Sequence, residues 1–355
     1  MELNQAEKSK LYGILQNMKD RKDWRRSTNS NILLVDGTNL FIRGWAATNS
    51  MSENGNLVGG VVASLKSLGY ANKLIAPTRC VVVFDGAGGS VKRRKLFPDY
   101  KSHRKNKIRL NRAYEEMSDA PTEEESCRHQ YQRFVQYLQI LPVNLLSIDL
   151  VEADDVLAYL ATDYFKDSEK VHIMSSDRDF LQLCDGRVQV YSPTKKRIYG
   201  PAEVLNDYHI HPNNFVLYRA LDGDDSDDIP GIELAGPKTI VKHFPWLNES
   251  SLHTVDEVIK HADGFKNKYK VCENICNGKA ILDRNVALMQ LKDTALTTIA
   301  QLHCNEVLQA ANIPMLDRNA FIKMVREDGI DANLPNHVNW LQDTFALLDS
   351  VTRKE

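Results

Sequence analysis

Long apolar runs are missing from this chain. No stretch approaches the roughly 20 residues of a membrane span, and the charged N-terminus carries no apolar signal core, so a soluble, cytoplasmic protein is expected. Cysteine is scarce and scattered (Cys80, Cys127, Cys184, Cys272, Cys276, Cys304). The one close pair, Cys272 and Cys276, lacks zinc-type spacing and has no second pair beside it. These read as reduced thiols, which leaves neither a disulfide framework nor a zinc site. A charge excess is missing too: 45 Lys and Arg against 47 Asp and Glu give a net charge of -2. Any nucleic-acid function must therefore rest on local segregation of charge. Internal repeats and long low-complexity segments are also absent, and 355 residues suffice for one large domain or two smaller ones.

What is present is patterned. The first thirty residues mix Lys8, Lys10, Lys19, Arg21, Lys22, Arg25 and Arg26 with a sparse apolar stripe, as in an amphipathic helix attached ahead of a domain. Ile32-Leu33-Leu34-Val35 and Cys80-Val81-Val82-Val83-Phe84 are short, β-branched-rich runs that each end in Asp-Gly. They have the character of buried parallel strands. Val143 to Ile148, Val171 to Met174 and Val188 to Tyr191 continue the series, with helical patterns between them at Glu123 to Leu141 and Ala153 to Phe165. This alternation predicts an α/β domain over residues 31–205 with a central, mainly parallel sheet flanked by helices. From residue 206 to 355 the pattern predicts a helical C-terminal region broken at Gly236-Pro237, Pro245 and Pro314. Glu123-Glu124-Glu125 precedes a helix and reads as structural, favouring its dipole.

Carboxylates cluster at predicted strand ends and helix starts: Asp36, Asp85, Glu152 with Asp154 and Asp155, Asp177 with Asp179, and the run Asp222 to Asp228. Each alone is an ordinary turn or helix start. Together, at the carboxyl ends of parallel strands, they lie where such sheets bind ligands. Two carboxylates about 4 Å apart repel by roughly 4 kcal/mol at an effective dielectric of 20, so convergence implies bound cations. Oxygen-only donors favour magnesium or manganese over zinc. A phosphatase reading of Val35-Asp36-Gly37-Thr38 fails because Leu34 stands where the nucleophilic aspartate belongs. A calcium-hand reading of Asp222 to Glu233 fails at Asp227, where a glycine is required.

These segments resemble the 5′-3′ exonuclease and flap endonuclease superfamily, of the bacteriophage type. The matching stretches are Leu34 to Asn39, Phe84-Asp85-Gly86, Phe97 to Arg104, Glu152 to Asp155, Ser175 to Leu183 and Gly223 to Thr239, in the family's order. The resemblance implies that Asp36, Asp85, Glu152 and Asp154 surround one magnesium ion, with Asp155 bridging through water. Asp177, Asp179, Asp224 and Asp227 would surround a second, manganese being able to substitute. Asp222, Asp225 and Asp228 remain loop acids, Asp228 standing where the family usually has Asn. Lys101 and Arg104 match the basic pair facing the scissile phosphate, inside a run that includes Arg93, Arg94 and Lys105. Tyr100 is placed to stack on an unpaired base, and residues 91–122 would form an arch admitting single-stranded 5′ ends. Ile229 to Thr239 resembles a helix-hairpin-helix element, within about 215–245, gripping duplex backbone through Gly231, Gly236, Lys238 and Thr239. Gly236-Pro237 suits a helix start by itself. Leu234 and Ala235 replace the family's Gly and branched apolar residue there, which bears on the hairpin's potassium ion.

The implied function is metal-dependent hydrolysis of DNA with a single-stranded 5′ end or flap, and of RNA primers on DNA, leaving 5′-phosphates. The protein would act as a monomer alongside replication partners such as a sliding clamp or single-strand-binding protein. A PIN-type RNA endonuclease would explain Asp36, Glu152 and Asp177, but not the basic run or the Gly223 to Thr239 element. A catalytically inactive DNA-binding scaffold would have no reason to keep so many repelling charges. Trp340, Leu341, Phe345, Leu347 and Leu348 read as helix packing rather than a clamp-binding tail.

Overall fold

The computed structural model describes residues 28–102, 120–294, 296–309 and 312–352. Nearly all of the expected N-terminal helix, and residues 103–119 of the expected arch, lie outside the described residues.

Five parallel strands and one antiparallel edge strand form the central sheet: β1 (Asn31–Asp36), β2 (Arg79–Asp85), β3 (Asn144–Ile148), β4 (Lys170–Met174), β5 (Val188–Ser192) and β6 (Arg197–Tyr199). Their spatial order is β3-β2-β1-β4-β5-β6. β1 is central because both of its faces are covered. Ile32 and Leu34 enter one apolar core with Val81, Val83 and Val156, whereas Leu33 and Val35 enter another with Val82, Phe41 and Leu65. Such two-sided burial is why the strand reads as an unbroken apolar run rather than an alternating one.

Helices α1 (Gly37–Ala47), α2 (Gly59–Ile75), α3 (Val91–Leu96), α4 (Ala120–Gln139) and α5 (Ala153–Tyr159) link the first four strands. After the sheet come α6 (Pro201–Tyr208), α7 (Phe215–Asp222), a two-residue β-ladder of β7 (Gly223–Asp224) with β8 (Ile229–Pro230), and α8 (Pro237–His243). The chain crosses itself closely at that ladder. A Cβ on Gly231 would meet the Asp222 carbonyl oxygen at 2.3 Å, and one on Gly223 would meet the Gly231 nitrogen at 2.3 Å, so neither residue can carry a side chain.

The helical C-terminal region does not stand apart as the division at residue 206 suggests. Phe321, Val325, Leu341, Phe345 and Leu348 share one core with Leu33, Leu65 and Phe134. The last two helices, Arg318–Asp328 and His337–Thr352, thereby complete the helical layer on one face of the sheet. Trp340 stacks on Phe321 and sits over Gly69, and Leu341, Phe345 and Leu348 are packed beside it, whereas Leu347 is exposed. No described helix is long and apolar enough to cross a membrane.

Candidate active site

Strand order reverses between β1 and β4, and the carboxyl ends of those two strands open a cleft, as expected at a topological switch point. Asp36 ends β1. Its Oδ1 accepts the Asn39 amide at 2.9 Å, capping α1, and its Oδ2 accepts the Ser175 hydroxyl at 3.1 Å. Asp85 ends β2 and accepts the free Ala153 amide at the start of α5, at 2.9 Å. Asp177 follows β4 and caps the 3₁₀ turn Arg178–Leu183 by accepting the Asp179 amide at 2.8 Å. Asp154 lies in the first turn of α5, where free N–H groups favour negative charge.

Electrostatics tie these four acids to one another. Burial pushes the Asp36 carboxyl up to about 7, with Asp85 and Asp177 adding to the rise and the Asn39 and Ser175 hydrogen bonds resisting it. Burial, then Asp177 and Asp36, hold Asp154 well above the usual carboxylate range. Among the described residues none of the four forms an ion pair, and no three His, Cys, Asp or Glu side chains already form a metal cage. The donor set is nonetheless all oxygen and short of positive charge, which suits a hard divalent cation. Asp36, Asp85, Asp154 and Asp177 therefore fit the expected metal chemistry, and Asp177 stands between the two expected groups, raising the proton affinity of Asp36 and Asp154 on one side and of Asp179 on the other.

The other expected ligands are held by cations of the chain itself. Arg93, expected to contact DNA, is buried instead. It bonds Glu152, grips Asp155 through two bonds of 3.0 and 2.9 Å, and donates to the Leu288 carbonyl at 2.9 Å. Burial disfavours the charge on that guanidinium, but Asp155 and then Glu152 more than offset it. Asp155 therefore anchors Arg93. Glu152 also accepts from Lys101 Nζ at 2.8 Å. Burial opposes its ionisation, yet Arg93 and then Lys101 hold its carboxyl below the usual range. Tyr100 is the second reversal. Only 2 % exposed, it directs its hydroxyl at Glu152 (3.2 Å) and Asp227 (3.3 Å), so its ring is not available to an unpaired base.

Asp179 and Asp224 are joined by Arg219, which the sequence reading did not single out. Burial and Asp177 still raise Asp179 to about 7 despite Arg219. Asp224 moves the other way because, against its burial, the Ser226 hydrogen bonds and Arg219 favour its charged form. Asp227 faces Lys101 Nζ at 3.8 Å, and the Lys101 amide donates to its carbonyl at 3.0 Å. Asp222 and Asp225 line the same open cleft of about 500 Å³ with Arg178 and Arg219. Asp228 has φ 59°, a left-handed conformation that Asn and Asp tolerate best after Gly. Ser175 and Asn39 are further unassigned supports, Asn39 accepting the Ser176 hydroxyl at 2.8 Å.

Of the remaining basic residues, Arg94 is half-buried and donates to the Tyr100 carbonyl at 3.3 Å, whereas Arg104 and Lys105 lie outside the described residues. Lys238 is exposed on α8 and Thr239 half-buried beside it. Gly236 is the N-cap before Pro237, with open space where a side chain would stand. Gly231 is required by the crossing at β7 and β8.

A reversing parallel sheet with a carboxylate-lined cleft at its switch point defines an α/β protein built for metal-assisted chemistry. The family described as "5′-3′ exonuclease, N-terminal resolvase-like domain" matches residues 31–209. The 5′-3′ exonuclease of Aquifex aeolicus is 28 % identical over 239 residues, covering 67 % of this chain and 75 % of that protein. The thermostable DNA polymerase I of Thermus thermophilus is 34 % identical over 212 residues, 59 % of this chain but 23 % of the polymerase. The T5 D15 protein co-crystallised with metal ions shares the fold, with a TM-score of 0.58 at 21 % identity over 84 % of this chain and 98 % of that one. This chain belongs to the 5′-3′ exonuclease family.

Proposed function

We propose that the protein is a divalent-metal-dependent 5′ nuclease that cuts DNA bearing a single-stranded 5′ end or flap, and primer RNA on DNA, leaving 5′-phosphates. The observation that carries this reading is the group Asp36, Asp85, Asp154 and Asp177, four cation-poor carboxylates at the switch point of a 5′ nuclease fold. A divalent ion bound there lowers the pKa of a water and stabilises charge developing on the phosphate. The chain's own residues orient and steer. Ser175 and Asn39 set the Asp36 carboxylate, and Asp85 fixes the start of α5 so that Asp154 faces the cleft. Lys101, held by Glu152 at the cleft wall, lets a polyanion approach this acidic surface. Lys238 and the open backbone at Gly236 suit a duplex phosphate.

Digestion of end-labelled flap, nicked, blunt and RNA-primed duplexes tests the reading. Cleavage releasing 5′-phosphorylated fragments is expected with magnesium or manganese and none with EDTA. Turnover that survives chelation removes the metal, and equal cutting of blunt and flapped ends removes the structure preference.

A further inference from the structure

Arg219 is the most deeply buried cation in the cleft, its side chain 1 % exposed among the buried residues of α7. All three of its guanidinium nitrogens are committed. Nε donates to Asp179 at 2.6 Å, Nη2 to Asp224, and Nη1 to the Gly223 carbonyl at 3.0 Å while lying 3.9 Å from Asp222. One side chain thereby joins the turn after β4 to the start of β7. Asp179 and Asp224 are two of the four residues that a second metal ion would be expected to draw on. An arginine does not give up its proton, and a guanidinium buried this deeply is tolerated only through its carboxylate partners. A divalent ion shared by Asp179 and Asp224 would have to displace those bonds or sit beside a fixed positive charge, and Arg178 lines the same cleft. None of Asp36, Asp85, Asp154 and Asp177 is bonded to a cation among the described residues; Lys101 and Arg93 favour the charged form of Asp154 only at longer range, less than its burial, Asp177 and Asp36 oppose it.

We propose that Arg219 is a resident cation of the distal acids, so that this chain binds one divalent ion tightly, at Asp36, Asp85, Asp154 and Asp177, instead of two. The inference rests on the metal-nuclease reading above, but it can fail separately. Arg219 acts as a positioning residue: it holds Asp179 and Asp224 together.

Counting bound Mn²⁺ by titrating the full chain without nucleic acid, with free ion read by electron paramagnetic resonance, decides the matter. The wild-type chain is expected to bind one ion tightly, and Arg219→Lys likewise. Arg219→Met should gain a second ion at least tenfold tighter than any further binding by wild type, and its melting temperature should rise more with Mn²⁺. Should Arg219→Met fail to fold, the wild-type count still decides, and Asp224→Asn should keep the tight ion while Asp154→Asn loses it. Two ions of similar affinity in wild type, or loss of the tight ion in Asp224→Asn but not in Asp154→Asn, overturns the inference. No tight Mn²⁺ on wild type overturns the metal-nuclease reading itself.

Discussion

Ser175 donates its hydroxyl to Asp36 at 3.1 Å, and the same oxygen accepts the Asp177 amide at 3.1 Å. One small side chain thus ties the end of β1 to the turn after β4 and favours the ionised form of a buried acid. Asp36 and Asp179 bind protons more tightly in the folded chain, up to about 7, than the ordinary 3.8. Between those values the folded state holds more protons than the unfolded one, so stability present below about pH 4 is lost as pH rises through 7. Metal-free protein is therefore expected to show a lower urea midpoint at pH 8 than at pH 5, with magnesium narrowing the difference. Ser175→Ala should widen it, since a hydrogen bond to the charged form is worth about one pKa unit. Glu152 and Asp224 act oppositely, but the stability they add is lost as pH falls from the ordinary carboxylate values through their depressed ones, below the interval from pH 5 to pH 8. A metal-free midpoint that climbs from pH 5 to pH 8 would contradict the assignment.

Arg93 separates a structural cation from a DNA contact. Removing it strands Asp155 as a buried charge and leaves Glu152 to Lys101 alone, and breaking such a pair costs about 3–5 kcal/mol. Arg93→Met is expected to lower the urea midpoint accordingly, at unchanged m-value. The salt dependence of DNA binding should be unaltered in whatever fraction folds. A stable variant with a shallower salt slope would return Arg93 to the phosphate-binding set.

The strand-end acids were legible because two local signals coincide at Asp36 and Asp85: an apolar run buried on both faces and an abrupt Asp-Gly stop. That these acids lie at the ligand-binding edge of a parallel sheet followed from the alternation of strands and helices, but the strand order, and with it the switch point between β1 and β4, did not. What local pattern could not show is which acids the chain neutralises for itself. Arg93 lies 62 residues from Asp155 and Arg219 lies 40 from Asp179, so both pairings are made by the fold and not by spacing. An arginine inside the otherwise apolar Phe215–Leu221 segment was the available clue to Arg219. Tyr100 and the C-terminal helices escaped for the same reason: nothing near them in sequence records Glu152 or the Leu65 face of the core.

Asp177 touches the problem from both sides, raising the proton affinity of Asp36, Asp154 and Asp179. Asp177→Asn should lower all three and leave the fold intact, since Asn still accepts the Asp179 amide. Flap cleavage in magnesium is expected to fall by about 10²–10³-fold or more, the usual cost of one essential electrostatic group. Flap binding in calcium should stay within a few fold. Unchanged turnover would place the metal elsewhere.

Lys238 stands exposed one residue beyond the Gly236-Pro237 helix start. A lysine on a phosphate releases about one counterion, so Lys238→Gln should reduce the slope of log affinity against log salt by roughly one unit on duplex. Single-stranded binding should keep its slope. An identical duplex slope in the variant would move the duplex contact off α8.

Leu234 occupies a left-handed backbone conformation, φ 69°, with its side chain 57 % exposed. A branched side chain there costs about 1–2 kcal/mol in backbone strain, and little burial returns it. Glycine removes the strain but brings roughly 0.5–1 kcal/mol of extra entropy to the unfolded chain. The strain is the larger effect, so Leu234→Gly should stabilise the protein by about 0.5–1 kcal/mol, read as a higher urea midpoint. If it destabilises instead, the leucine must make contacts on this surface that its exposure does not show. If it stabilises but weakens duplex binding without changing the salt slope, Leu234 is an apolar duplex contact, kept at a cost in stability beside the cation Lys238.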